Sequence, residues 1–242
     1  MITDILTFGK ITALAIADAV NPCEIAVLTM VLVSILIQNP QNRKKVLYSG
    51  LAFSSAIFIG YMFYGIVIIY LLGEFSVFLK SSSVYFYNGL AVLALIIGAL
   101  NIKDYFMYQP GGIATEMPMK IRPLAKILIN KITSPAGAFF IGFLITIFLV
   151  PCTMGPYFIA SGLLVPLGIL KSIPWLIYYN LIFIMPMIII TLLIFFGFKK
   201  VEEVSGWKEK NIKRLHLIAG ILLFGIGLTM LLGIRFSWGS FF

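Results

Sequence analysis

The chain has 242 residues, of which 61% are hydrophobic and 11% charged, whereas a soluble domain carries about a quarter charged residues and about half apolar ones. No core of this length could hide so much apolar surface from water, so the composition excludes a water-soluble domain and makes lipid the solvent. The excess of basic over acidic residues, 18 against 9, fits basic cytoplasmic loops in contact with anionic lipid, and nucleic acid is not an expected partner.

A helix needs about 20 apolar residues to cross the hydrocarbon, and six segments qualify, over 11–37, 46–72, 84–101, 135–164, 173–198 and 215–234. The first is too long for the apolar region of a signal peptide and no small-residue cleavage pattern follows it, which predicts no cleaved leader. It carries Asp18 and the run Asn21-Pro22-Cys23-Glu24. The third is the shortest, with Ser81-Ser82-Ser83 before it and Lys103-Asp104 closing it. The connection after it is the longest, and Pro110-Gly111-Gly112 breaks it near its start. Beyond Pro123, Leu124, Ile127, Leu128 and Ile132 recur at helical spacing with Lys126 and Lys131 off that stripe. This pattern suits either a short helix on the membrane surface or an extension of the fourth span. The fourth span carries Val150-Pro151-Cys152-Thr153, followed by Gly155 and Pro156.

Basic residues set the expected orientation. Arg43, Lys44 and Lys45 fall in the first loop, Lys103, Lys120, Arg122, Lys126 and Lys131 in the third, and Lys199, Lys200, Lys208, Lys210, Lys213 and Arg214 in the fifth. Lys10, Lys80, Lys171 and Arg235 are spread over the termini and the other loops. The positive-inside rule then places loops one, three and five in the cytoplasm and both termini outside, in a multi-pass protein of the plasma membrane.

The spans divide into two sets of three, each opening with its own Pro-Cys pair. Repeat one covers about 1–110, a cytoplasmic connection about 103–133, and repeat two about 134–242, within a single membrane domain. An odd number of spans per half inverts the second half relative to the first, the architecture of alternating-access carriers with broken helices near the midplane. The expected fold is therefore all-α, six transmembrane helices as two inverted three-helix repeats, with the first and fourth broken at Pro-Cys.

Proline within a helix lacks the amide hydrogen and clashes with the preceding turn, but suits the first position of a new helix. Pro22 and Pro151 would each start a half-helix with Cys23 or Cys152 in its first turn. Free amides there favour a thiolate, while burial favours the thiol. Pro156 and Gly155 would reinforce the second break. Unwound backbone at membrane depth needs a protein or wet environment, so two breaks predict a partly hydrated central site. A lone buried cysteine is usually an inert small hydrophobe, but these are the chain's only two and they occupy equivalent spans.

Asn21-Pro22-Cys23 in the first span and Pro151-Cys152-Thr153-Met154-Gly155-Pro156-Tyr157 in the fourth resemble the motifs of the CcdA/DsbD family of transmembrane thiol–disulfide electron carriers. Length and topology resemble its short CcdA members. Many members carry another proline shortly after the first cysteine, where this chain has Glu24-Ile25-Ala26-Val27, which implies a first break that is milder or is stabilised differently. The resemblance implies passage of reducing equivalents from cytoplasmic thioredoxin to an extracytoplasmic thioredoxin-like acceptor through Cys23 and Cys152, in support of cytochrome c maturation. It implies no organic cofactor and no metal.

Among other polar residues, Asp18, Asn21 and Glu24 recur every third position around Cys23. Glu24 or Asp18 would handle the proton of Cys23, or Glu24 would cap the half-helix amides. Thr146, Thr153, Asn180 and Thr191 are expected to bond helix to helix, the alternative being that they line the cavity, Met154 and Tyr157 are expected to pack, and His216 to sit at the interface. Gly60, Gly65, Gly137, Gly142, Gly225 and Gly227 mark close contacts or hinges. The competing reading is a secondary transporter of a small solute or soft metal ion on the same scaffold, for which thiolates suit Cu(I). A third is a scaffold protein with incidental cysteines.

Overall fold

The computed structural model describes residues 2–20, 22–38, 42–78, 83–108, 119–120, 122–130, 132, 134–197 and 201–237. Every regular element among them is helical: α1 (Ile2–Ala19), α2 (Pro22–Gln38), α3 (Arg43–Phe78), α4 (Ser83–Phe106), α5 (Arg122–Asn130), α6 (Pro135–Leu164), a 3₁₀ turn (Val165–Leu167), α7 (Gly168–Phe195) and α8 (Val201–Ser237). Local chemistry fixes several boundaries. The Asn42 side chain accepts from the Lys45 amide at 3.1 Å where α3 begins. Ser134, in extended conformation, accepts from the Gly137 amide at 3.1 Å and is followed by Pro135 at the first position of α6, an N-cap arrangement that satisfies an otherwise orphaned donor. Gly168 at φ 73° separates the 3₁₀ turn from the body of α7, and Gly197 at φ 77° follows the last turn of α7. Glycine takes that left-handed conformation without a Cβ penalty.

Four stretches are long and apolar enough to cross a membrane: Arg43–Glu74, Tyr85–Phe106, Gly155–Phe195 and Glu203–Leu232. The pair Phe8–Ala19 and Cys23–Ile37, bent by 46°, makes a fifth if it is one broken span. The radial distribution of polarity is reversed from that of a soluble protein. Asp18, Glu24, Thr146, Thr153, Asn180 and Thr191 are buried, while Phe63, Phe140, Ile147, Leu181, Met185 and Ile221 are exposed. An apolar exterior of this extent is stable against lipid and not against water. The chain is a helical membrane protein.

Packing joins elements distant in sequence. α4 lies along α8, and α3 packs on both α6 and α7. α1 touches α6, α7 and α8, while α2 meets α3, α5, α6 and α8. Close approach depends on small residues. A Cβ on Gly98 of α4 would lie 2.7 Å from the Phe224 backbone nitrogen of α8. On Gly60 of α3 it would lie 2.9 Å from the Thr146 methyl of α6. Gly60, Gly65, Gly142 and Gly227 thus sit at close contacts, whereas nothing lies within 4 Å of a Cβ on Gly225.

Two expectations change. The first span is broken as expected, with α1 ending before Pro22. The fourth is not: α6 runs continuously from Pro135 to Leu164, through Pro151 and Pro156. Each proline removes one amide and forces a local bend, and such a loss is tolerated where neighbouring helices support the segment; α1, α3 and α4 all pack on α6. Gly155 therefore marks no break. It lets Ile97 of α4 approach, with its Cδ1 2.7 Å from where a Cβ would stand. Between the two readings of the segment after Pro123, the structure selects a separate helix, α5. Its inward side is Ala125 and Ile129, with Ile132 buried just beyond its end, while Leu124 and Ile127 are exposed. Ser34 of α2 donates to the Ile129 and Ile132 carbonyls at 3.3 and 3.5 Å, pinning this end of α5 to α2.

Candidate functional site

Cys23 lies in the first turn of α2, directly after the bend, and is 8% exposed. It lines a cavity of about 120 Å³, room for several waters. Ala26, Val27 and Met30 of α2 continue the wall, α5 contributes Arg122, Ala125 and Ile129, α8 contributes Lys208 and Ile212, and Tyr108 completes the lining. The cavity lining is thus mostly apolar, with two basic side chains, Arg122 and Lys208. Ala26 and Met30, at helical spacing after Cys23, give no polar signal in the sequence, and the α5 and α8 walls are brought by tertiary packing alone.

Asn21 and the side chains of Pro22, Pro151, Cys152 and Met154 lie outside the described residues. The backbone places Cys152 within α6, and α2 and α6 are in contact. Its neighbour Thr153 is fully buried and pairs with the Tyr61 hydroxyl at 2.7 Å, while also donating to the Leu149 carbonyl at 3.3 Å.

Tyr61 belongs to a buried aromatic cluster that the sequence does not reveal. Its ring meets Tyr157 at 5.4 Å and Phe183 at 5.0 Å, and Tyr157 meets Tyr179 at 5.1 Å, each edge to face. The Tyr157 hydroxyl donates to the Tyr61 carbonyl and accepts from Asn180 Nδ2 at 3.2 Å. Tyr179 donates to Asp18 Oδ2 at 3.0 Å. A polar seam therefore ties α1, α3, α6 and α7 together between Asp18 and Thr153. Tyr157, expected only to pack, is a hydrogen-bonded member of it. The rule that a buried tyrosine hydroxyl finds a partner was the one available signal, and it does not say which partner. Asn180 and Thr146 do bond helix to helix, the latter to Tyr64 at 2.9 Å, whereas Thr191 bonds within its own helix, to the Met187 carbonyl at 2.8 Å.

Asp18 and Glu24 flank the bend, 1% and 3% exposed. Asp18 Oδ1 and both carboxyl oxygens of Glu24 have no hydrogen-bond partner. A buried polar group left unpaired costs about 1–3 kcal/mol, so carboxyls placed here call for a functional explanation. Among the described residues no group of three or more His, Cys, Asp or Glu side chains is arranged to hold a metal ion. His216 is 1% exposed and bonded through Nδ1 to Asn101 Oδ1 at 3.0 Å, with its ring 5.9 Å from that of Tyr108.

Comparison of the chain with protein-family models, with characterised proteins and with solved structures finds no match in any of the three. The site's own geometry is what bears on function.

The seam makes a stability prediction. Tyr179→Phe removes the one donor to Asp18 among the described residues, from an aspartate whose other oxygen is already unpaired there. A loss of about 1–3 kcal/mol is expected, read as a lower denaturation midpoint in detergent, with Tyr178→Phe at the part-buried Thr12 contact costing less. Equal midpoints for the two variants would show that the Asp18 bond carries no stability.

Proposed function

We propose that the protein carries reducing equivalents across the membrane by thiol–disulfide exchange at Cys23 and Cys152, from a cytoplasmic thioredoxin to an extracytoplasmic thioredoxin-like acceptor, as its motif resemblance to the CcdA/DsbD family implies. The observation that carries the reading is the place of Cys23: at a helix bend, lining a cavity that Arg122 and Lys208 also line. A thiol there is shielded from lipid yet open to a partner on the basic side. That side is cytoplasmic on the positive-inside rule. Cytochrome c maturation is the use that the resemblance suggests for the exported electrons.

The proposed fold has six crossings: the bent α1–α2 pair, α3, α4, α6, α7 and α8. α6 has 30 residues, and the turn at Gly168 divides it from α7. An inverted repeat would relate the α1–α2 pair to α6, α3 to α7 and α4 to α8. The contact pattern is consistent with that relation. α3 against α6 has its counterpart in α7 against α1, and α2 against α8 in α6 against α4. The pairs α3–α7 and α4–α8 map onto themselves.

The proposed chemistry starts from a disulfide between Cys23 and Cys152. A thioredoxin thiolate attacks Cys23 sulfur, the Cys23–Cys152 bond breaks, and Cys152 leaves as a thiolate that takes a proton. The donor's second thiolate then attacks its own partner sulfur in the mixed disulfide, leaving as an intramolecular disulfide and releasing Cys23 as a thiolate. Two electrons have entered the pair. On the other face the pair repeats these steps in reverse on the acceptor's disulfide. Glu24, adjacent to Cys23 and with unpaired carboxyl oxygens among the described residues, or Asp18 across the bend, would take and return its proton.

The second reading is a solute carrier. Its support is the same set of unpaired oxygens on Asp18 and Glu24, which would suit a proton- or cation-coupled path. Trapping separates the two. With Cys152→Ser, a thioredoxin lacking its resolving cysteine, and carried as a mixed disulfide with a small aromatic thiol, is expected to be attacked by Cys23, which expels the small thiol and leaves a reducible covalent adduct at Cys23. A solute carrier gives no adduct with either single-cysteine variant, and that result overturns the redox reading.

A further inference from the structure

The cavity at Cys23 brings a nucleophile and positive charge onto one lining. Cys23 is 8% exposed, which favours a sulfur on a slender chain over one held on the surface of a folded protein. The volume of about 120 Å³ takes a chain of a few heavy atoms in place of its waters. Arg122 of α5 and Lys208 of α8, both part-exposed, share the lining with the thiol, and no carboxylate among the described residues does. Glu24 follows Cys23 in sequence but is absent from that lining. Arg122 has further contacts of its own, whereas Lys208 makes no ion pair among the described residues. Cations set in an otherwise apolar wall need water or an anion beside them, because charge left against hydrocarbon is costly. A cavity with low-dielectric walls and one sign of charge concentrates small ions of the other sign.

We infer that this cavity binds a low-molecular-weight thiol bearing a carboxylate, and the disulfide of that thiol, with the carboxylate on Lys208 and Arg122 and the sulfur at Cys23. A carboxylate matches both cations, and its hydrogen bonds to a guanidinium or an ammonium are of the strong, charge-assisted kind. The short carbon chain of such a thiol suits the apolar part of the wall, Ala26, Val27 and Ile129. A neutral thiol would leave the cations unmatched, and a cationic one would be repelled. The inference rests on the redox reading in taking Cys23 as an exchanging thiol, and it adds an electron donor that is not a protein. Two molecules of the small thiol reduce the cysteine pair. The first, as a thiolate, attacks Cys23 sulfur in the Cys23–Cys152 disulfide, and Cys152 leaves as a thiolate that takes a proton. The second attacks the small molecule's sulfur in the mixed disulfide, releasing Cys23 as a thiolate, which is protonated, and a small disulfide. Two electrons enter the pair, and the protons given up by the two small thiols balance those taken by the two cysteines.

The reverse exchange tests it. The full chain with Cys152→Ser, in neutral detergent, is mixed with dithiodipropionate, hydroxyethyl disulfide or cystamine, whose short arms end in a carboxylate, a hydroxyl or an ammonium. Cys23 attacks one sulfur, the other half leaves as a thiolate, and intact-protein mass spectrometry follows the half that is added. Each rate is divided by that of the same disulfide with a small model thiol, which removes differences of intrinsic reactivity. Dithiodipropionate is expected to exceed cystamine by at least about tenfold, with hydroxyethyl disulfide between them. Lys208→Gln is expected to lower that ratio severalfold, and Lys208→Gln with Arg122→Gln to abolish it, while the hydroxyethyl disulfide rate stays as it was. Lys213→Gln removes an exposed cation of α8 that does not line the cavity, and is expected to keep the ratio. Equal corrected rates for the three disulfides overturn the inference, as does a preference that survives the double variant. A ratio lowered as much by Lys213→Gln as by Lys208→Gln also overturns it, because that result assigns the preference to net charge. Absence of reaction with all three overturns it too, and the thioredoxin adduct of the same Cys152→Ser chain then judges the redox reading separately.

Discussion

Vesicles carrying Cys23→Ser or Cys152→Ser are expected to pass no reducing equivalents above the rate of protein-free vesicles. The exchange needs one sulfur to hold the partner as a mixed disulfide and another to expel it. A serine hydroxyl is close in volume but forms no bond that a thiolate can displace. The measurement places thioredoxin and its reductase outside the vesicle and a disulfide-bearing thioredoxin-like protein inside, and follows reduction of the enclosed protein. Cys23 is buried and small, so serine is expected to leave the fold and the elution profile unchanged. Transfer that persists in either variant ends the redox proposal. The same vesicles address Glu24: Glu24→Gln is expected to alter the pH dependence of transfer while the trapped adduct at Cys23 still forms. An unaltered pH profile removes Glu24 from the proton step. A solute carrier would show the opposite pattern, keeping its flux with serine at both positions and losing it with Glu24→Gln.

The largest stability effect is expected at the α4–α8 contact. A Cβ on Gly98 would meet the Phe224 amide nitrogen at 2.7 Å, its Cα at 3.0 Å and its Cβ at 3.0 Å. Two of these atoms are backbone, so the strain cannot be relieved by a rotamer change, and the helices must separate. Overpacking of this kind costs about 1–3 kcal/mol, and Gly98→Leu is expected to exceed Gly98→Ala. Gly89, on the same helix, has nothing within 4 Å of its Cβ position. Gly89→Ala is therefore expected to be neutral or to stabilise by roughly 0.5–1 kcal/mol, since alanine loses less backbone entropy than glycine in a helix. Denaturation midpoints of the variants in one detergent decide the matter. If Gly98→Ala matched Gly89→Ala, the close approach of α4 and α8 would be wrong.

Much of the architecture was legible because lipid imposes one rule on every crossing segment. The spans at 46–72 and 84–101 lie within α3 and α4, and 135–164 coincides with α6. Helices extend past these spans where water takes over: α3 begins at Arg43, and α8 begins at Val201, fourteen residues before the apolar run at 215. Hydropathy reads only the part that faces hydrocarbon, whereas charged turns such as Lys208–Arg214 continue the helix on backbone hydrogen bonds alone. Proline was a less reliable guide. Pro22 marks the bend, but Pro151, Pro156, Pro174 and Pro186 all lie inside continuous helices, because a missing amide bends or breaks a helix according to how firmly neighbours hold the flanking turns.

Composition and the spacing of apolar runs by themselves determined that this chain lives in a membrane as a helical bundle, that α2 starts at Pro22, and that Cys23 and Glu24 stand in its first turn. Those are local properties, decided by the solvent each residue prefers and by the backbone each allows. Tertiary structure alone decided that Cys23 looks into a cavity walled by α5 and α8, and that Tyr61, Tyr157, Tyr179 and Asn180 join Asp18 to Thr153 across four helices. Hydropathy cannot anticipate such partners. Inside an apolar bundle any buried hydroxyl or amide must find some acceptor, and which one it finds depends on how the helices are turned and not on any residue nearby in sequence.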